Sequence, residues 1–343
     1  MPPIHVNWDL TYACQLRCAH CYSQGGRRPD RALPLDRQRR IAGRLIEAGV
    51  ETVAFAGGEP LLNEGLWPLA EQLREGGVRT VLYTNGLAID APAAARIARL
   101  FDRVHISLDA PHASMHDRIR GRAGAFAAAL SAVRLLISAG ASTGIDATLM
   151  RSTFDAAPEF ISRVLPSVQG AAFLNIGAVI PAGMASRPGF GPELPTEAQM
   201  QSLVDGSLEA ALRRLAPPHV AVRCFSNRDL SHGPRWKQVD EADQAALLVQ
   251  LEPDGAMRAM PVYEGTVGSL LETPLPTLLA RAHEWRESPP VRALLADVQD
   301  TLGWAAATRR LDWLHANTQV RRLIERRSHR IWFRPMVQSI EPT

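Results

Sequence analysis

Long apolar runs are missing from this 343-residue chain: no segment approaches the roughly 18 uninterrupted apolar residues that a membrane span needs. The N-terminus, MPPIHVNWDLTYAC, lacks a basic region followed by an apolar one, so it does not read as a secretion signal. A cytoplasmic location without a membrane partner is the expectation. Charge imbalance is also missing. The formal net charge is only +3, which implies no strong nucleic-acid field and no nucleic-acid partner. No internal repeat and no acid–base triad are visible. Cysteine is scarce, with four in all, and three of them fall between positions 14 and 21. In a reducing compartment such clustering argues for metal ligation rather than disulfides. The remaining composition, 46% apolar and 21% charged, is that of an ordinary globular chain.

Short β-like runs alternate with helical stretches through the first half. Strands are expected at His5–Leu10, Thr52–Ala56, Thr80–Tyr83, Val104–Leu108, Thr143–Met150 and Ala172–Ile180. Helices are expected at Leu35–Ala48, Trp67–Arg74, Ala91–Leu100 and Ala125–Ala139, with another between the last two strands. Strands separated by helices imply a parallel sheet. Polar or Gly-rich loops follow several strands: Cys14–Cys21, Gly57–Pro60, Thr84–Gly86 and Ser107–Asp109. In parallel α/β folds ligands bind at the C-terminal strand ends, so these loops are expected to share one mouth. The Pro/Gly-rich stretch Pro181–Pro195 reads as a boundary. A helix over Thr196–Leu215, a small β element over Leu247–Arg258 turning at Asp254-Gly255, and mostly helices follow it.

The cysteine loop reads Cys14-(x3)-Cys18-(x2)-Cys21. Three thiolates on a four-iron cluster leave one iron open to a ligand. A zinc site is the alternative, with His20 or Cys224 as fourth ligand. Gly57-Gly58-Glu59-Pro60 combines close backbone approach with a charged acceptor, or is a turn capped by proline. The strand ending Ile106-Ser107-Leu108-Asp109 offers polar ligands, though Asp109 also suits a cap. Thr84-Asn85-Gly86 sits at the same mouth, and Asn-Gly is also a common turn.

With this cysteine spacing and order of elements, the chain over residues 4–185 resembles the radical S-adenosylmethionine (SAM) superfamily. The resemblance implies a partial (β/α)6 TIM-like barrel over residues 1–185, with a [4Fe-4S] cluster on Cys14, Cys18 and Cys21. It assigns Gly57, Gly58, Glu59 and Pro60 to the amino group of SAM, and Ser107 and Asp109 to its ribose or methionine part. His20, just before Cys21, resembles a residue packing by the adenine. The strand Phe173–Ile180, with Ile176, passes near it, and Asn85 lies at the mouth. Arg118 and Arg120 suit the SAM carboxylate. The implied chemistry is reductive cleavage of SAM to a 5′-deoxyadenosyl radical, which takes hydrogen from a substrate. An electron donor such as flavodoxin or ferredoxin is implied too.

Residues 186–343 resemble the SPASM extension of such enzymes, a smaller α+β unit, through Val249–Gly255, Met260-Pro261 and Gly268–Leu270. Met260 stands where the family's cysteine would be, and no cysteine follows it. A thioether does not replace a thiolate in a cluster site, so auxiliary clusters are not expected. Such enzymes commonly modify ribosomally made peptides, which makes peptide maturation the leading expectation. No room precedes His5 for a leader-binding domain, so a precursor peptide implies a separate leader-binding protein or the arginine-rich C-terminal stretch. That stretch, Thr308–Pro335, carries Arg309, Arg310, Arg321, Arg322, Arg326, Arg327, Arg330 and Arg334. It reads either as a solvated basic helix or as a site for an anionic partner. Trp304, Trp313 and Trp332 read as core or interface aromatics. Cys224 is either a small buried hydrophobe or a hydrogen-atom donor to a substrate radical. Two other readings stay open. In one, the substrate is a small molecule such as a tetrapyrrole, cofactor or antibiotic intermediate; in the other, the chain is a non-catalytic iron–sulfur partner subunit.

Overall fold

Strands of the first half alternate in burial because each second side chain faces helices while the others face a lumen. The computed structural model describes residues 3–227, 237–238, 245–296, 298–314, 316 and 318–327. Its strands are β1 (Ile4–Thr11), β2 (Thr52–Gly57), β3 (Arg79–Thr84), β4 (Arg103–Ser107), β5 (Thr143–Leu149) and β6 (Phe173–Ala178). They continue with β7 (Ala221–Phe225), β8 (Lys237–Gln238), β9 (Ala245–Leu251), β10 (Ala256–Arg258) and β11 (Thr266–Ser269). The sheet order is β11-β10-β9-β1-β2-β3-β4-β5-β6-β7, with β8 also on β9. Strands β1 to β7 pair in parallel, one after the next, and β9 pairs in parallel with β1. Among the described residues, the antiparallel pairings are those of β8, β10 and β11.

The expected α/β architecture is therefore present, with β1 to β6 as its curved wall. The sheet does not stop at residue 185, since β7 and β9 extend it at both ends. Helices Leu35–Glu47, Leu66–Glu75, Ala91–Leu100 and Ala125–Ser138 pack their apolar faces on the outer side. Outward strand residues such as Val53, Phe55, Leu82, Val104, Ile106, Ile145, Leu174 and Ile176 join them in one core.

Several local expectations are corrected. Between β5 and β6 the helical path is broken into a short helix, Arg151–Phe154, a five-residue π-helix, Phe160–Val164, and a 3-10 turn, Leu165–Ser167. Pro158 and Pro166 interrupt a longer helix by removing backbone donors. The expected helix Thr196–Leu215 breaks into Glu197–Val204 and Ser207–Leu215, because Gly206 takes a left-handed φ of 74°. The stretch expected as a boundary, Pro181–Pro195, is packed rather than open. Its 3-10 turns bury Ala185, Phe190 and Leu194 against Ala19, Met150 and Ala305. Burying Phe190 and Leu194 contributes about 1.5–3 kcal/mol each, enough to hold the stretch down.

Beyond β11 come helices Leu275–Glu287, Pro289–Ala296, Thr301–Leu314 and Thr318–Arg327. Trp304 is buried and donates to Tyr263 Oη at 2.9 Å, while Trp313 is exposed, with Arg321 over its ring. Arg330, Trp332 and Arg334 lie outside the described residues. No single described helix is long and apolar enough to cross a membrane.

Candidate active site

The loop that leaves β1 carries the three cysteines, and neighbouring loops hold its shape. Gly58 N donates to Thr11 O at 2.6 Å and Glu59 N to Ala13 O at 2.8 Å. Side chains cannot fit there: a Cβ on Gly57, whose φ is 115°, would lie 2.5 Å from Thr11 O. One on Gly58 would collide with Ala13 O. From the other side Met184 N donates to Cys21 O at 3.0 Å, and Arg187 donates to Ala19 O at 3.2 Å. The stretch expected as a boundary is thus a support of the cysteine loop.

Cys14, Cys18 and Cys21 are all free thiols at the C-terminal strand ends of one cavity of about 660 Å³ that runs through the lumen of the sheet. Each has a donor: Leu16 N to Cys14 Sγ at 3.4 Å, Arg120 Nη1 to Cys18 Sγ at 3.7 Å, and Gly25 N to Cys21 Sγ at 3.3 Å. Burial pushes the Cys18 thiol up to about 12, with Arg120 opposing it, and raises Cys14 as well. Such thiols ionise when a metal replaces the proton. Among the described residues, no three His, Cys, Asp or Glu side chains come together tightly enough to hold a single metal ion. Three free thiols on one roomy cavity suit an iron–sulfur cluster.

The remaining cavity wall combines the expected loops with inward residues of the strands. Gly57, Gly58, Asn85, Ser107, His20 and Arg120 all line it. Asn85 Nδ2 donates to Gln15 at 3.3 Å, and its Oδ1 accepts from Leu87 N at 2.8 Å. His20 Nδ1 is buried without a partner, and burial lowers the imidazole to about 4, so the ring is neutral near pH 7. Arg118 is exposed on the far side of its helix.

Five expected ligands sit elsewhere. Glu59 is fully buried and does not line the cavity. Its carboxylate accepts from Thr84 Oγ1 (2.7 Å), Asn85 N (2.9 Å) and Leu61 N (3.2 Å), tying the β2 loop to the β3 loop. Pro60 opens the 3-10 turn Pro60–Leu62 and is buried beside it. Asp109 is also fully buried. Arg120 grips it with Nη2 at 2.8 Å and Nε at 2.7 Å, and Thr148 N donates at 3.1 Å. Burial opposes ionisation of Asp109, but Arg120 outweighs it and holds the carboxyl below its usual range. Asp109 is thus engaged by Arg120 and does not line the cavity. Ile176 faces the helical core, and the strand period of two gives the cavity its neighbours Asn175 and Gly177 instead. Cys224, opposite Ile176 in register, packs on the same outer side, while Arg223 and Phe225 line the cavity. Its backbone N–H donates to Glu209 of the covering helix at 2.7 Å. A thiol on that face is not aimed at a substrate in the lumen.

Sequence reasoning missed the inward strand residues of the cavity wall, among them Tyr83, Arg103, His105, Thr148, Phe225 and Asn227. Phe225 and Asn227 follow from β7, whose five residues left no clear alternation. Asn227 reaches β6 by donating to Ala178 O at 2.7 Å.

Residues 8–163 match the model of the Radical SAM superfamily. Mycofactocin maturase MftC of Mycolicibacterium smegmatis is 34% identical over 183 residues, 49% of this chain and 46% of that protein. AdoMet-dependent heme synthase of Oleidesulfovibrio alaskensis is 27% identical over 223 residues, 64% of this chain and 55% of that protein. The chain spans about half the length of these curated relatives. Among solved structures, native anSMEcpe with bound AdoMet has a TM-score of 0.64 at 14% identity, covering 94% of this chain and 100% of that one. Streptococcus suis SuiB bound to S-adenosylmethionine gives 0.62 at 14%, covering 88% and 71%. At such identities the likeness is one of fold. Sequence match and fold agree over this part of the chain: residues 8–163 match the radical SAM superfamily, and the solved structures share the fold.

Proposed function

We propose that this chain is a radical SAM enzyme with one [4Fe-4S] cluster on Cys14, Cys18 and Cys21. The observation that carries the reading is the set of three free thiols, each with its own donor, at the C-terminal end of one large lumenal cavity. The chemistry that such a cluster and SAM supply when bound is one-electron cleavage of a carbon–sulfur bond, followed by hydrogen abstraction from the substrate. The chain's own residues do the rest. Arg120, fixed by Asp109, places a cation beside Cys18 and the cavity, suited to a carboxylate. Gly57 and Gly58 bring bare backbone to the wall, and Asn85 and Ser107 offer polar atoms there. His20 presents a neutral ring. Glu59, Pro60 and Asp109 are positioning residues in this scheme. Residues 186–343 act as an extension that lends β7 and β9 to the barrel wall.

The substrate in this reading is a ribosomally made peptide, modified during maturation. Its support is the set of maturases among the relatives, and a protein of the same fold, SuiB, bound to its precursor peptide SuiA. A flavodoxin or ferredoxin as electron donor and a separate leader-binding protein complete the proposal. The heme synthase relative, which matches the larger share of this chain, favours a tetrapyrrole as the second reading.

Anaerobic reconstitution with iron and sulfide tests the main reading. It expects about four irons per chain, an electron paramagnetic resonance signal altered by SAM, and 5′-deoxyadenosine after reduction. Bound zinc, or no SAM cleavage, removes it. A Soret shift on adding an iron porphyrin, with no turnover of candidate peptides, moves the substrate to the second reading.

A further inference from the structure

Below the cysteine mouth, the lumen is lined by an unusual set of inward side chains. Strand alternation turns Arg103, His105 and Ser107 of β4 to the same side, and all three line the cavity. Four residue steps along the strand lead from Ser107 to Arg103, so the arginine lies about 13 Å below the mouth. The His105 ring stacks on Tyr83, with centroids 4.4 Å apart, and meets Phe173 at 4.7 Å on its other side. Gly144 makes this possible, because a Cβ there would lie 2.7 Å from the Phe173 ring. The Arg103 guanidinium sits over that ring at 4.2 Å.

The charges in this chamber are unevenly matched. Asp146 is engaged by His105, whose Nδ1 is 3.2 Å from Oδ1. Arg103 has no ion pair among the described residues, and its Nε is buried without a hydrogen-bond partner. Lying flat on Phe173 uses the face of the guanidinium and leaves its edge of N–H donors for a planar acceptor. That edge matches a carboxylate, and the aromatic side chains around it suit a flat or apolar body attached to one. Asn175 of β6 and Arg223 of β7 face the same space.

We propose that this chamber is the substrate's carboxylate-binding subsite, with Arg103 as the anchoring cation, Tyr83 and His105 as its walls, and Phe173 as the buried ring that backs them. The proposal rests on the radical SAM reading only in taking the lumen as the substrate's place. An anchor this far below the mouth fixes the substrate end that does not react, and leaves the reacting carbon between Arg103 and the cysteine loop.

The test uses the full chain, reconstituted anaerobically, with SAM present. Phenylacetate and its neutral isostere phenylacetamide are titrated calorimetrically. The expected result is a preference for phenylacetate of about tenfold in the wild type, from charge-assisted hydrogen bonds. Arg103→Gln is expected to abolish the preference and Arg103→Lys to restore part of it. Equal binding of the two ligands by the wild type overturns the proposal, as does a preference that survives in Arg103→Gln. Inorganic phosphate displacing phenylacetate at lower concentration overturns the carboxylate assignment. Should Arg103→Gln fail to fold, the wild-type ligand pair and Arg103→Lys still decide. SAM binding, measured in the same samples, separates the two readings: intact SAM binding without a carboxylate preference removes the subsite alone.

Discussion

Asp9 is a carboxylate sealed within β1, fully buried, holding Tyr22 Oη at 3.1 Å and Gln250 Nε2 at 2.8 Å. Burial raises it to about 6, against the attraction of Arg258. The folded value exceeds the unfolded one of about 3.9, so the folded chain binds the extra proton between them. Its contribution to stability is fully present below about pH 4 and is lost as pH rises through about 6, a swing of about 3 kcal/mol. Asp9→Asn is expected to raise the melting temperature at pH 8 and leave it nearly unchanged at pH 4, as calorimetry over that range would show. The Asp109–Arg120 pair is the opposite case, with a carboxyl held down by its partner. Arg120→Gln strands a buried carboxylate and is expected to cost about 3–5 kcal/mol in denaturant unfolding. Adding Asp109→Asn should return much of that loss if the pair is the cause.

At the scale of elements, the loops at the strand ends hold one another up. The Gly57–Glu59 turn lies directly under the cysteine loop, so Gly58→Ala pushes Cys14 and its neighbours away from their positions. The expected outcome is an iron content well below that of the wild type, with a far-ultraviolet circular dichroism spectrum unchanged. Full iron loading in that variant would refute the close-packing argument. This level was the most legible in sequence. Cysteine spacing, the Gly-Gly turn and the helix Ala91–Leu100 were each declared by local chemistry. What stayed hidden was direction. Glu59, Asp109, Ile176 and Cys224 were in the right segments, but their side chains turn to loops or helices. A strand reverses facing at every residue, and only the pairing register decides which neighbour gains the lumen. Arg120 was legible as a carboxylate binder, but its grip on Asp109 needed the fold to join β4 to the helix Ala113–Arg120.

Across the whole molecule, buried charges fasten the C-terminal half to the cysteine loop. Glu264 receives Arg28 Nη1 at 3.1 Å and Arg327 Nη2 at 2.6 Å, and Arg327 also reaches Asp312 at 2.6 Å and Gln24 at 3.2 Å. Burial would raise the Glu264 carboxyl, but Arg28, Arg258 and Arg327 together hold it well below the usual range. One of the arginines expected on a basic surface is therefore a bolt. Met260 lies in a small apolar cluster with Val262, Tyr263 and Leu311. Glu264→Gln leaves the arginines without their shared carboxylate. It is expected to cost about 3–5 kcal/mol and to open the helix Thr318–Arg327 to trypsin at Arg321 and Arg322. Unchanged digestion kinetics would show that packing alone holds the helix.

The pairing of β1 with β9 has a consequence during synthesis. Ile4 meets Leu247 across that ladder, so the strand made first waits for a partner made 243 residues later. At about 5–20 residues per second, the ribosome needs about 12–50 seconds to deliver it. Throughout that interval one edge of a strand that alternates apolar and polar residues stands open to any other chain with a free edge. Yield of the intact protein should therefore depend on chaperone supply and growth temperature more steeply than its final stability would suggest.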